Sequence, residues 1–219
     1  MSKQPAPATL RNAILRAGNI IAVNDAVAAA REAELPQVDS LRAYRRAQLV
    51  GQRWFIGKLE TRWLKSCALS NWTDSAVLPF ASTQTLGHRR YLLTCNRHAM
   101  AAVELDEYIP AGLYALDTSA GEIARAKLDA TYPSMASVYD MRLSYYTEEI
   151  TITGETVHGK TRLYTMSNGQ HIERKYLDAA LKLRKGHGPV QFVGLFAQPT
   201  RPMYIDAAGV TGMIMPFKK

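Results

Sequence analysis

The chain has 219 residues, 47% hydrophobic and 21% charged, the balance of a globular protein that buries a core rather than of a disordered one. Its 27 Lys and Arg outnumber 19 Asp and Glu, and the resulting +8 favours polyanions, with nucleic acid first among them. No apolar run approaches the roughly 18 residues of a membrane span, the first residues lack the layout of a secretory leader, and two cysteines, Cys67 and Cys95, are too few for a disulfide framework, so a reducing cytoplasm is the expected setting.

In chain order, apolar positions at helical spacing (Leu10, Ile14, Ala17, Ile21, Ala28) predict a helix over 9–35, interrupted at Gly18-Asn19 and ended by Pro36. Residues 37–53, with Arg42, Arg45, Arg46 and Arg53 among Leu41, Tyr44 and Leu49, suit a second, shorter helix. WFIGKLE then reads as a short strand, ETRWLKSCALS as a helix, and AVLPFASTQTL and RRYLLTCNRHAMAAVEL as strands bounded by Gly87 and Pro110. GLYALDTS reads as extended, and GEIARAKLDA as a helix with Ser119 as its N-cap.

Beyond Pro133, MRLSYY and EITITGE are expected to pair as a hairpin turning at Thr147-Glu148, followed by the strand TRLYTMS. IERKYLDAALKLRK predicts a helix closed by Gly186, and PVQFVGLF, RPMYIDA and GMIMPF close the chain as strands. Strand-helix-strands recurs across 111–219, and 54–108 repeats its later half. The expected fold class is therefore α+β, with strand-helix-strand units repeated in two domains, 1–110 (with a helical N-terminal segment) and 111–219.

Catalytic and metal motifs are sparse. His88, Cys95 and His98 lack the second ligand pair that a closed zinc site needs. There is no Gly-x-Ser-x-Gly elbow and no phosphate-binding loop, Gly186-His187-Gly188 being too short for one. Asp106, Glu107, Glu148 and Glu149 are acids in predicted turns, where solvation is the rule. The reading is a protein that is not an enzyme and carries no cofactor or metal.

The last 80 residues carry a more specific signal. Tyr176, Leu177, Asp178 and Leu181 on a helix precede Arg201, Pro202 and Ile205 on one strand and Met213, Ile214, Met215, Pro216 and Phe217 on the last. In order and spacing this resembles the end of the bacterial DNA sliding clamp, the beta subunit of DNA polymerase III. RLSYYTEEITITGE is similar to a strand-turn-strand of that family, and Thr94 to His98 loosely so to another strand.

The resemblance implies a processivity factor whose helices line a hole around double-stranded DNA, with a surface that receives peptides of polymerase and clamp loader. The DNA-facing cations would be Lys175, Lys182 and Lys185, with Arg125 and Lys127 on the helix expected at 121–130 and Arg62 and Lys65 on that at 60–70. The peptide pocket would use Met213, Ile214, Met215, Pro216 and Phe217, although alternation also allows Met213, Met215 and Phe217 to be one buried strand face. The chain's length suits a homo-oligomer, a trimer before a dimer. The alternative is a basic nucleic-acid-binding or phage structural protein without a ring, with Arg42, Arg45 and Arg46 as its recognition surface.

Overall fold

The computed structural model describes residues 6–69, 72, 75–105, 109–137, 139, 148–194 and 200–217. Three helices come first: α1 (Pro7–Arg16), α2 (Ile20–Glu32) and α3 (Val38–Val50). Pro7 occupies the first turn of α1, where its missing N–H costs nothing. The break expected at Gly18-Asn19 is present, because the Asn19 side chain accepts from Ala22 N at 2.9 Å and restarts the helix as α2. Their apolar stripes (Ile14, Val23, Val27, Leu41, Tyr44) close on one another and on a sheet.

The remaining elements are β1 (Arg53–Phe55), α4 (Lys58–Cys67), β2 (Ala81–Leu86), β3 (Arg89–Cys95), β4 (Ala99–Glu104), β5 (Leu113–Asp117), β6 (Glu122–Ala126), β7 (Glu148–Glu149), β8 (Ile152–His158), β9 (Thr161–Met166), β10 (His171–Glu173), α5 (Arg174–Lys182), the single turn α6 (Arg184–His187), β11 (Gln191–Gly194), β12 (Met203–Ala207) and β13 (Val210–Ile214). Among the described residues ten strands form one sheet in the order β1-β6-β5-β2-β3-β4-β13-β12-β11-β7, and β10-β9-β8 form a second. Every pairing is antiparallel. The α+β class is as expected. Among the described residues no helix is long and apolar enough to cross a membrane.

One predicted helix is a strand. Residues 122–126 form β6, held between β1 (Trp54↔Ile123) and β5 (Ala115↔Ala124). Ala and Lys favour a helix here, but two neighbouring strands each need a partner, and that tertiary demand outweighs propensity. Ser119 is not an N-cap: its hydroxyl donates to Asp117 Oδ1 at 2.5 Å, in the turn that joins β5 to β6. Gly121 ends that turn at φ +78°, and a Cβ there would sit 2.8 Å from Lys58 N. The helix expected at 172–185 begins two residues later, since Ile172 belongs to β10, and Gly186 lies inside α6 rather than after it. MRLSYY, its hairpin at Thr147, and residues 195–196 of PVQFVGLF lie outside the described residues, as do Asp106 and Glu107.

The repeat is real but differently divided. A three-residue strand, a helix and three antiparallel strands occur as β1-α4-β2-β3-β4 and again as β10-α5-β11-β12-β13. The last strands of the two copies pair with each other, Ala101 opposite Gly212 and Ala102 opposite Thr211, which relates the copies by a local two-fold axis. Residue 110 falls between β4 and β5, two strands of the same sheet.

Both faces of this sheet are covered, which is why β4 reads AMAAV rather than alternating with polar residues. Leu93, Met100, Ala102 and Met213 face the core shared with α1–α3. Leu92, Ala101, Val103 and Ile214 face the core shared with α4 and α5. At the centre of the second core Trp63, 1% exposed, packs against Gly212 and donates from Nε1 to Thr211 O at 3.3 Å. Thr94 Oγ1 donates to Leu64 O at 2.6 Å, and His187 bridges Ala208 O and Glu60 Oε1, each at 2.7 Å. These contacts bind α4 to both copies of the repeat.

Candidate nucleic-acid interface

Helices α4 and α5 lie on the same sheet face and pack against each other, so the side of each that points away from the sheet belongs to one surface. On α4 the buried residues Thr61, Trp63, Leu64 and Cys67 occupy one side, and Lys58 and Arg62 fall at i and i+4 on the other. On α5 Tyr176, Leu177 and Ala180 are buried, while Lys175 and Lys182 are exposed, and Lys185 follows, exposed, on α6.

The exposed cations Lys58, Arg62, Lys175, Lys182 and Lys185 thus belong to this layer. Lys58 was missed in the sequence because it stands at the strand-to-helix junction, where the helical wheel could not yet be anchored. Acidic neighbours moderate the charge: Lys175 Nζ lies 2.6 Å from Glu173 and over the Tyr176 ring. Asp178 is held by Arg174 (3.1 Å) and by the Tyr164 hydroxyl (2.8 Å), which fastens α5 to β9. The hydrogen bond to Asp178 raises the Tyr164 pKa by favouring the protonated phenol.

The other expected cations are elsewhere. Lys65 points its ammonium over the Tyr44 ring, 5.6 Å from the centroid, at the seam between α4 and α3. Arg125 and Lys127 are not on a helix. Arg125 lies on β6 and donates from Nη2 to Ala111 O, and both residues line a cleft beneath α3 together with Arg46. Of the arginines on α3, Arg42 donates to Asn24 Oδ1 and Arg45 to Ala17 O and Gln48 Oε1, joining helices rather than facing a ligand. That helix buries Leu41, Tyr44 and Ala47, so it is not presented as a free recognition helix.

The C-terminal strand divides as its alternation requires. Met213 is buried on the bundle side, with Met215 partly buried against the same core, and Ile214 is fully buried on the other. Met215 N donates to His98 O and Phe217 N to His171 O, so the tail runs from the end of β4 to β10, where the Phe217 ring meets His158 edge-on. Among the described residues of this tail, accessible surface is left at Met215, Pro216 and Phe217, each half-buried.

Cys95 is buried: its backbone N–H donates to the Tyr132 hydroxyl at 2.8 Å, and that hydroxyl lies 3.7 Å from Sγ. Among the described residues no group of three or more His, Cys, Asp or Glu could hold a metal ion. Burial pushes the Cys67 thiol up to about 12 and raises that of Cys95. Ellman's reagent at pH 8 is therefore expected to find no reactive thiol in the native protein and two after unfolding. A thiol whose folded pKa exceeds its unfolded one contributes stability below the unfolded value, near 9, and loses it as pH rises toward the folded value. The urea midpoint should accordingly fall between about pH 9 and 12; rapid native labelling would contradict the burial.

No family model matches the chain, and no curated protein matches it. In fold it is similar to the DNA polymerase sliding clamp from Bacillus subtilis, with 14% identity and a TM-score of 0.48 over 74% of this chain and 62% of that one. It is similar also to the C. crescentus beta sliding clamp (14%, TM-score 0.47, 77% and 65%). The Helicobacter pylori beta clamp, solved with a DNA ligase peptide, is a third (11%, TM-score 0.45, 74% and 63%). The match spans less than two thirds of each of those chains.

Proposed function

We propose that the chain is a subunit of a DNA sliding clamp, a non-enzymatic processivity factor of the cytoplasm that surrounds duplex DNA. The observation that carries this reading is the paired-helix layer. Two helices from the two copies of the repeat lie side by side on one sheet face and turn Lys58, Arg62, Lys175 and Lys182 away from it. Scattered lysines on helices attract phosphates without reading bases, which is what sliding requires. The resemblance of residues 141–219 to the end of the bacterial clamp supports the same reading.

One chain of this length would need copies of itself to close a ring, and a homotrimer is proposed before a dimer. Polymerase and clamp-loader peptides are assigned to the tail at Met215, Pro216 and Phe217, above the buried Met213 and Ile214. Topology distinguishes the ring from simple adhesion. Protein loaded on nicked circular DNA should survive a high-salt wash and be released when the circle is linearised. Equal retention on circular and linear DNA would instead identify a basic nucleic-acid-binding protein without a ring.

A further inference from the structure

We propose that the cleft between α3 and the β5–β6 end of the sheet docks an acidic, apolar peptide segment of a partner protein. The cleft has a volume of about 740 Å³, within the ordinary range of ligand-binding clefts. Its walls are apolar: Ala43, Ala47 and Val50 from α3, facing Leu113, Ala126 and Leu128 from the sheet and the chain that leaves it. Val50 is 65% exposed, an aliphatic side chain held in water at the rim.

Three cations stand around these walls, Arg46, Arg125 and Lys127, and no acidic residue lines the cleft among those described. Arg46 and Lys127 are exposed and make no hydrogen bond or ion pair within the described chain, while Arg125 reaches only a neutral carbonyl, Ala111 O. Three uncompensated positive charges around an apolar floor are complementary to carboxylates interleaved with aliphatic side chains. A nucleic-acid backbone would satisfy the cations but bring nothing for the floor. The cleft lies beneath α3, on the bundle side, whereas the lysines of α5 belong to the opposite helical layer, so both partners could be held at once.

The test uses fluorescence anisotropy with the full chain and a labelled decapeptide alternating Glu and Leu. A Lys-Leu decapeptide and a blunt DNA duplex serve as comparisons. Wild type should bind the Glu-Leu peptide and not the Lys-Leu one. Arg46→Glu/Lys127→Glu should weaken that binding by about tenfold or more, and Val50→Ser should weaken it too, with duplex affinity unchanged and circular dichroism confirming the fold. The three substituted side chains are exposed, so folding is preserved. Peptide affinity unaffected by both variants would overturn the proposal, as would duplex affinity falling by the same factor as peptide affinity. Neither result depends on ring closure, because the α5 lysines are untouched.

Discussion

Replacing Trp63 with alanine is expected to lower the unfolding free energy by about 3–5 kcal/mol, the usual cost of deleting a large buried aromatic side chain. Trp63 is 1% exposed and sits where the two copies of the repeat meet, its indole donating to Thr211 O on the last strand of the second copy from a helix of the first. The reciprocal change, Gly212→Ala, puts a Cβ 2.5 Å from Trp63 Cζ2 and 2.8 Å from Met100 O. Overpacking of this kind costs about 1–3 kcal/mol. Part of the clash is with the ring itself, so the glycine substitution should cost less in the Trp63→Ala background than alone, a coupling that urea denaturation of the four proteins of a double-mutant cycle would measure. Additive effects would mean that the ring does not seat on Gly212.

The second large effect is electrostatic. Lys175→Glu, Lys182→Glu and Lys185→Glu together should weaken duplex binding strongly and make it less dependent on salt. Each phosphate contact contributes about 0.9 to the slope of log K against log salt, so loss of three contacts lowers that slope by about 2.7. Lys182 and Lys185 should dominate, because Lys175 is already paired with Glu173 at 2.6 Å. All three side chains are exposed, so the fold and any oligomer should persist by circular dichroism and light scattering. Arg46→Glu, beneath the other sheet face, is the control and should leave the slope alone. An unchanged slope in the triple variant would remove the paired helices as the DNA-facing layer.

Much of the secondary structure was legible because local signals agree with tertiary needs. Asn19 caps α2, Pro36 ends the helical run before α3, and the strand expected at TRLYTM is β9. Residues 121–130 failed because nothing local distinguishes EIARAK as a helix from the same residues as a strand; the choice is made by β1 and β5, of which β1 lies far upstream (Trp54 opposite Ile123) and β5 is the preceding hairpin arm. Arg125 and Lys127 moved with it, from an expected helix to the α3 cleft. The lysines of α5 were readable because Tyr176, Leu177 and Ala180 already mark its buried side.

Composition and periodicity alone determine that the chain is basic, that it mixes helices with strands, and that its last helix has one apolar and one cationic side, since each property is local or additive along the sequence. Only the tertiary structure decides that β4 pairs with β13, that α4 and α5 share a sheet face, and that the cations separate into a helical layer and a cleft. Those outcomes depend on contacts between residues far apart in the sequence, such as Trp63 with Gly212, and a helical or alternating pattern records which side of an element is buried but not what buries it.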